Sequence, residues 1–154
     1  MRFLCDEMLA RLARLLRAAG YDTRLAENGA GDTDMLREAK AEGRVLVTRD
    51  RELAARAAPG SVLLKVGDVG GQAQALTRAV PIDWRLAPFT RCVMDNTPLH
   101  EATAEEIAAM PPQARAGPGP FNACPACGRV YWPGSHVKRL SARLAALARD
   151  APRA

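Results

Sequence analysis

The chain has 154 residues, of which 48% are apolar, 25% are charged and only 5% are aromatic. This length suits one domain, or a compact domain with a small appendage, and the composition argues against wholesale disorder, collagen-like repeats and a disulfide scaffold. No apolar stretch approaches the roughly 20 residues that a membrane-spanning helix requires. Because Asp6 and Glu7 interrupt the first segment before a signal-peptide core could form, we expect a soluble, cytoplasmic protein.

The predicted elements of the first half alternate between strand and helix. The predicted strands cover residues 3–5, 21–25, 45–48 and 62–66. The predicted helices run from Met8 to Gly20 and over residues 33–42, 51–58 and 71–80, with Asp32 or Thr33 capping the second and Gly43 ending it. This alternation predicts parallel strands joined by right-handed crossovers, which gives a three-layer α/β domain over residues 1–80.

Residues 81–154 do not continue this alternation of strands and helices. Residues 81–90 are predicted to be a linker, in which Trp84 and Leu86 indicate packing against some other part of the protein. In residues 91–154, Thr103 and Glu106 predict a capping box that starts one short helix, and residues 113–120 are predicted to be an exposed loop. A short strand at 130–132 follows, and Ser135 is placed to cap a closing helix. The apolar face of that helix consists of Leu140, Leu144 and Leu147.

The net charge of +5 is concentrated towards the end of the chain. Residues 1–90 hold 14 basic and 12 acidic residues, whereas residues 91–154 hold 8 and 5. From residue 128 onwards, Asp150 is the one acidic residue beside the basic residues Arg129, Lys138, Arg139, Arg143, Arg149 and Arg153. A basic end favours a partner that carries phosphates, such as RNA, because Lys and Arg release condensed counterions on contact. The alternative is a solvated helix face.

Acidic residues follow three of the four predicted strands. Asp6 and Glu7 come after the first strand, Asp50 after the third and Asp68 after the fourth. Chemistry in a parallel α/β sheet collects in the crevice beyond the carboxyl ends of the strands, so we expect these carboxylates to meet there. Glu7 is one step out of phase with Asp6, which predicts a peripheral position for it. Asp68 is open to a second interpretation as a turn residue.

A further acidic pair, Asp32 and Asp34, opens a predicted helix, and the preceding loop could turn it towards the same crevice. Converging carboxylates repel each other unless cations neutralise them, and their hard oxygen atoms select Mg²⁺ or Mn²⁺. Two such ions can activate water and stabilise the leaving oxygen of a phosphodiester. The cluster therefore predicts metal-dependent phosphodiester cleavage. In the structural alternative these aspartates are helix caps, and Arg49 pairs with Asp50.

Five segments carry a resemblance to a known family. They are residues 3–9 (FLCDEML), 12–23 (LARLLRAAGYDT), 43–53 (GRVLVTRDREL), 89–92 (FTRC) and 124–136 (CPACGRVYWPGSH). The first two look like the opening, and the third like the central motif, of the PIN-like ribonucleases of the Mut-seven C-terminal family. The last two resemble the zinc-ribbon half of that family. The likeness covers nearly the whole chain.

The resemblance implies a PIN-like fold, a metal-dependent nuclease centre that acts on RNA, and an appended C-terminal zinc ribbon. It carries a metal-ligand role to Asp6 and Asp50, and to Asp32 or Asp34. Residues 67–71 do not match the family's pattern, so a metal role for Asp68 depends on the strand-end argument alone.

Four cysteines in an intracellular chain are better explained as metal ligands or core residues than as disulfides. Cys5 lies inside an apolar strand and is predicted to be a buried packing residue. Cys124 and Cys127 form a knuckle suited to Zn²⁺, which needs four ligands to close a structural site. The expected second pair begins at Cys92, but Asp95 stands where a ribbon normally has its second cysteine.

Three cysteines leave a zinc site one ligand short, and the sequence offers several possibilities for the fourth position. Asp95 could be the fourth ligand, since a carboxylate oxygen can bind zinc. His100 or His136 could replace it, or the ribbon could be metal-free or contain a disulfide. We predict a zinc site that consists of Cys92, Asp95, Cys124 and Cys127.

Candidate RNA contacts lie in the basic end of the chain, at Arg129, His136, Lys138 and Arg139. His136 could equally be an ordinary surface histidine. Tyr131 and Trp132 could stack on unpaired bases, or they could form the small core of the ribbon.

These observations together predict a cytoplasmic ribonuclease that depends on Mg²⁺ or Mn²⁺. In this hypothesis Arg49 steadies the scissile phosphate, and the candidate catalytic and metal-binding aspartates are Asp6, Asp32, Asp34 and Asp50, with Asp68 as a further metal ligand. The alternatives are a non-catalytic RNA-binding module, a protein-interaction module that keeps the fold, and a phosphatase-like or response-regulator-like protein with an acidic pocket.

Overall fold

The structure, a computed structural model, describes residues 1–151 of the chain. Its larger sheet has four parallel strands: β1 (Phe3–Cys5), β2 (Thr23–Leu25), β3 (Val45–Thr48) and β4 (Ser61–Leu63). They lie in the order β2-β1-β3-β4, and Phe3 of β1 is in register with Thr23 and Val45. The predicted parallel α/β class is thus confirmed. The basic residue Arg153 lies outside the described residues.

Helices cover both faces of this sheet. They are α1 (Ala10–Ala18), α2 (Asp32–Glu42), α3 (Arg51–Ala57) and α4 (Val69–Ala79). Successive strand residues point to opposite faces, so Phe3 and Cys5 pack with α1 and α4, while Leu4 and Leu46 pack with α2 and α3. The result is the predicted three-layer arrangement, with one buried apolar layer on each side of the sheet.

Some predicted boundaries were wrong for local reasons. Met8 was expected to begin the apolar stripe of α1, yet it is 69% exposed, because a 3₁₀ turn over Glu7–Leu9 starts the stripe at Leu9 instead. Gly31, and not Asp32 or Thr33, occupies the N-cap of α2. The strand predicted at 62–66 ends at Leu63.

Residues 81–90 pack closely against the body, as predicted from Trp84, whose side chain is 1% exposed. The indole N–H of Trp84 donates to the Thr77 hydroxyl at 2.9 Å. Gly20, with φ of +101°, brings the end of α1 against Ala87, where an added Cβ would stand 2.5 Å from the carbonyl oxygen. Leu86 does not pack as predicted and is 53% exposed.

The second half holds a small antiparallel sheet in the order β5-β6-β7. Its elements are β5 (His100–Glu101), α5 (Ala104–Ala108), α6 (Pro112–Arg115), β6 (Asn122–Ala123), β7 (Val130–Tyr131) and α7 (Ser135–Asp150). The capping box of Thr103 and Glu106 is confirmed. The short helix α6 forms where a loop was predicted. Gly134, and not Ser135, occupies the N-cap of α7.

The two halves share one hydrophobic core. Leu144 and Leu147 of α7 are buried in the same cluster as Leu12 of α1 and Leu76 of α4, and Leu140 packs at its edge. The closing helix therefore lies on the α1–α4 face of the large sheet. Within residues 1–151, no helix is long and apolar enough to cross a membrane.

Candidate active site and metal centre

A pocket of about 500 Å³ lies beyond the carboxyl ends of β1, β2 and β3. We call it the acidic pocket. Its charged lining consists of Asp6, Glu7, Glu27, Asp32, Arg49 and Asp50. Five carboxylates therefore face one guanidinium, and such an excess of negative charge favours a bound cation.

Asp6 and Asp50 are connected through one buried hydroxyl. Thr48, at the end of β3, is 0% exposed; its hydroxyl donates to Asp6 Oδ2 at 2.9 Å and accepts from the backbone N–H of Asp50 at 3.0 Å. A buried hydrogen-bonded group of this kind has little freedom to turn. Thr48 thus sets the orientation of Asp6, a role that the sequence analysis missed.

Asp50 caps α3 and lines the pocket at the same time. Its Oδ1 accepts from the backbone N–H groups of Glu52 and Leu53, at 2.8 and 3.0 Å. Both bonds use Oδ1, so the cap does not use Oδ2. The two interpretations offered by the sequence, a helix cap and a pocket ligand, are therefore compatible for this residue.

Asp32 reaches the acidic pocket from the first turn of α2, where its Oδ2 lies 3.2 Å from Arg56 Nη1. Both side chains are more than 40% exposed, and exposed ion pairs of this kind contribute at most about 1 kcal/mol. Asp32 is therefore free to exchange this partner for a cation at small cost.

Asp34 and Asp68 do not line the acidic pocket. Asp34, two residues past Asp32, pairs with Arg37 at 3.1 Å on the exposed face of α2. Asp68 caps α4 by accepting from the backbone N–H of Gly71 at 2.8 Å. Their positions follow from helix geometry and capping, which the strand-end argument did not take into account.

Two glutamates, which were not predicted as site residues, line the acidic pocket. Glu7, expected to be peripheral, lines it while its Oε2 accepts from the Gly29 N–H at 2.9 Å. Glu27 lies just after β2, so the strand-end argument applies to it as it does to Asp6 and Asp50, and would have found it.

The second site is a group that we call the Cys/Asp cluster. It consists of Cys92, Asp95, Cys124 and Cys127, whose ligand atoms all lie within 4.8 Å of one another. Among residues 1–151, it is the one group of three or more potential ligands found close enough together to hold a single metal ion. The predicted four-residue set is thus brought together, and it could bind a metal such as zinc.

The distances within the Cys/Asp cluster fit a tetrahedral ion. Bond lengths of about 2.3 Å to sulfur and 2.0 Å to oxygen imply separations of about 3.8 Å between two sulfurs and about 3.5 Å between sulfur and oxygen. Cys92 Sγ and Cys127 Sγ are 3.7 Å apart. Cys124 Sγ lies 3.4 and 3.5 Å from the two carboxylate oxygens of Asp95. Asp95 therefore occupies the place of the missing fourth cysteine.

Two tight turns hold the ligands of the Cys/Asp cluster in position. In the first, the Cys92 N–H donates to Thr97 O and Asn96 has a φ of +72°. In the second, the Cys124 N–H donates to Arg129 O at 2.9 Å, and Gly128 has a φ of +74°. Both turns depend on a residue in the left-handed region, which glycine and asparagine tolerate best.

The electrostatics of the cluster suit a mixed ligand set. Burial acts to raise the pKa of Asp95, but hydrogen bonds from Thr97 and from the thiols of Cys92 and Cys124 outweigh it and lower that pKa to about 2. Burial and the neighbouring thiols raise the pKa of Cys127 to about 11. The carboxylate is therefore ready to bind, whereas the thiols must lose protons to a metal.

The other residues that the sequence analysis singled out, as metal ligands, RNA contacts or core residues, lie outside the Cys/Asp cluster. His100 Nε2 is 3.0 Å from Glu106 Oε2 and is not part of the Cys/Asp cluster. His136 and Arg129 line a different pocket, and Lys138 and Arg139 are exposed on the first turns of α7. Cys5 is fully buried, as predicted, and burial raises its pKa to about 12.

Buried polar contacts attach the Cys/Asp cluster to the body. Arg17 of α1 is 5% exposed and donates to the carbonyl oxygens of Thr23, Val93 and Met94. The side chain of Asn96 donates to Asp22 at 2.8 Å and accepts from the N–H of Thr23 at 2.9 Å. The first turn of the cluster is thus fixed to the start of β2.

With this geometry in place, comparison with known proteins identifies the family. The family model described as the Mut7-C RNAse domain matches residues 1–144. The chain belongs to this family. The match covers both the acidic pocket and the Cys/Asp cluster, and it indicates a ribonuclease-type function with RNA as the substrate. No curated protein and no solved structure gave a significant match.

Proposed function

We propose that this Mut7-C protein is a ribonuclease that hydrolyses RNA phosphodiester bonds with Mg²⁺ or Mn²⁺ held in the acidic pocket. The nuclease part would be residues 1–80, and residues 91–154 would form a zinc ribbon joined to it by residues 81–90. The observation that carries the proposal is the convergence of Asp6, Asp32 and Asp50 on one pocket at the carboxyl edge of the sheet.

The donor set of the acidic pocket fits a hard divalent cation. Its ligands are carboxylate oxygens, which Mg²⁺ and Mn²⁺ prefer over softer donors. Asp6, Asp32 and Asp50 would hold the metal, with Glu7 and Glu27 as further carboxylates at the rim. A metal bound there supplies the positive charge that activates water and stabilises the leaving oxygen.

The protein's own residues orient the substrate and the ligands. Arg49 is the one cationic side chain of the pocket lining, so it would bind a non-bridging oxygen of the scissile phosphate. Thr48 keeps Asp6 turned towards the pocket. Asp34 and Asp68 have no part in this proposal because neither lines the pocket.

The ribbon would bind zinc through Cys92, Asp95, Cys124 and Cys127, where the fitting distances support a closed structural site. The basic residues Arg129, Lys138 and Arg139, with His136, would bind RNA near it. Binding of this kind weakens as salt rises, because each phosphate contact releases a condensed counterion.

The decisive test is the Asp50→Asn variant. Asparagine is as good an N-cap as aspartate, so the variant should fold normally while it loses a metal-binding charge. We expect the rate of cleavage of a single-stranded RNA with Mg²⁺ or Mn²⁺ to fall by at least about a hundredfold. Mutation of a residue that only hydrogen-bonds to a metal ligand already lowers activity by roughly 10–100-fold, and Asp50 is proposed as a ligand itself.

The matched control is Asp68→Asn, which removes the same charge at the N-cap of α4, outside the acidic pocket. It should cleave RNA at the parental rate. Equal activity in Asp50→Asn and the parent would refute the proposal. Salt-sensitive RNA binding without cleavage under any divalent ion would favour the non-catalytic RNA-binding alternative.

A further inference from the structure

A second pocket, of about 470 Å³, shares no lining residue with the acidic pocket and none with the Cys/Asp cluster. We call it the ribbon pocket. Val93 and Met94 of the first cluster turn form one side, and Arg129 to Trp132 and the start of α7 form the other. A volume of this size admits a small planar ligand, since ligand pockets range over about 300–1,000 Å³.

The lining of the ribbon pocket is mostly apolar, and the aromatic ring available to a ligand is that of Trp132. Tyr131 is 7% exposed, and its hydroxyl is engaged with Cys92 Sγ at 3.2 Å and the Val93 N–H at 3.1 Å. Trp132 is only half-buried and lines the pocket. Gly134 lets the indole lie against the backbone, because a Cβ there would stand 2.7 Å from Trp132 Nε1.

Basic residues lie on this surface and near it. Arg129 and His136 line the ribbon pocket itself. Arg14 is exposed on α1, three residues before Arg17, whose Nη1 donates to Met94 O at 2.8 Å. Among the ion pairs of residues 1–151, none involves Arg14 or Arg129. Their charge is thus available to an anionic partner.

We propose that the ribbon pocket binds an unpaired base of single-stranded RNA. The base would stack on Trp132 beside Met94, and the adjoining phosphate would contact Arg129 and His136. An aromatic face next to a basic side chain is the combination that binds single-stranded nucleic acid, whereas a purely apolar partner would leave the Arg129 guanidinium without an anionic partner. A base held in a duplex could not enter, so this pocket selects single-stranded substrates.

This inference extends the proposed function by naming its substrate class. Helix α1, which is about 14 Å long, begins four residues after Asp6 of the acidic pocket, and Arg17 near its other end donates to Met94 O of the ribbon pocket. The two pockets therefore lie towards opposite ends of one short helix, within the reach of one extended RNA strand. The exposed side chains of Arg11 and Arg14 are one helical turn apart on α1, between the two pockets.

The test compares the affinity for a fluorescein-labelled single-stranded RNA with that for the duplex of the same sequence, without added divalent cations. The full-length chain carries Asp50→Asn so that the RNA stays intact. We expect Trp132→Ala to raise the Kd for the single strand about tenfold and the Kd for the duplex less than about twofold. Trp132→Phe keeps an aromatic face and should bind nearly as the parent does.

The matched control is Leu86→Ala, which removes an exposed apolar side chain outside the ribbon pocket and should leave both affinities unchanged. If Trp132→Ala fails to fold, Met94→Glu replaces it, and it should weaken single-strand binding about tenfold by placing a negative charge in the pocket. A strand with abasic sites throughout should bind the parent and Trp132→Ala equally.

An unchanged single-strand Kd in the folded Trp132→Ala variant would overturn the inference. So would an equal loss for single strand and duplex, or a dimer in sedimentation that Trp132→Ala dissociates, which would make a second copy the occupant. The same experiments distinguish a failure of the proposed nuclease function from a failure of this inference. If the parent does not cleave RNA but Trp132 governs single-strand binding, the nuclease proposal is wrong and the base-binding pocket stands.

Discussion

The acidic pocket and the Cys/Asp cluster are assembled in opposite ways. The cluster takes its ligands from two tight turns, and all four ligand atoms lie within 4.8 Å of one another. The acidic pocket takes its carboxylates from three strand ends and a helix start, and spreads them around an opening of about 500 Å³. Closed sets of ligands are typical of structural metal sites, and open positions are typical of catalytic ones. We therefore propose that the cluster contributes stability and that the pocket carries out the chemistry.

The largest effect is expected from removing one ligand of the Cys/Asp cluster, which tests whether the cluster contributes to stability. We expect Cys124→Ser to lose its zinc and to be destabilised by at least about 3 kcal/mol, because the free energy of metal binding is part of the free energy of folding. For a chain of this size the melting temperature would fall by about 6–12 °C. Metal analysis and thermal unfolding measure the two effects.

The control for this prediction is Cys5→Ala, which removes a buried thiol that is not part of the Cys/Asp cluster and should retain about one zinc per chain. Cleavage by folded Cys124→Ser at low temperature should persist if the cluster serves stability alone. A zinc-free variant that melts at the parental temperature would contradict the assignment.

A smaller effect is expected from loosening the acidic pocket without removing a carboxylate. Thr48→Val keeps the shape of the side chain but removes the donor to Asp6 and the acceptor of the Asp50 N–H. Leaving that part-buried N–H without its acceptor costs up to about 1–3 kcal/mol, and a misoriented Asp6 should reduce kcat about tenfold. Unfolding and cleavage assays measure the two effects separately.

Thr77→Val is the matched control, because its hydroxyl also serves buried partners, Ala73 O and Trp84 Nε1. It should lose stability to a similar extent while kcat stays at the parental value. If both variants lost activity equally, the effect of Thr48 would be one of folding and not of positioning.

The fold was largely predictable because its signals are local and periodic. The spacing of apolar residues places α1, and Gly43 ends α2 at the predicted residue, in the left-handed conformation that glycine favours. Cysteine spacing likewise indicated the ligand set of the Cys/Asp cluster, and distance alone decided that Asp95, and not His100, completes it.

The acidic pocket was only partly predictable, since strand ends give the edge of the sheet but not the direction of a side chain. Asp32 and Asp34 are indistinguishable in the sequence, yet a helix turns them about 200° apart, and only Asp32 lines the pocket. Thr48 gave no signal because a threonine in a strand is ordinary. Its role arises from β1 and β3 being neighbours, which no local pattern encodes.

The smallest expected effect concerns the connection between the Cys/Asp cluster and the body, at Asp22. Burial opposes its ionisation, but hydrogen bonds from Arg44 and Asn96 lower its pKa from 3.8 to about 2. Because the pKa is depressed in the folded state, the stabilisation is complete above about pH 4 and is lost as the pH falls through 2.

The Asp22→Asn variant should lack this contribution to stability, which is up to about 2 kcal/mol. The free energies of unfolding of parent and variant should therefore differ most near pH 6, differ less from about pH 4 downwards, and converge as the pH reaches about 2, as urea titrations at each pH would measure. Asp83→Asn, which changes an exposed turn carboxylate, should follow the parent at every pH. A difference that stayed constant across this range would mean that Asp22 acts through packing alone, and that charge does not join the first turn of the cluster to β2.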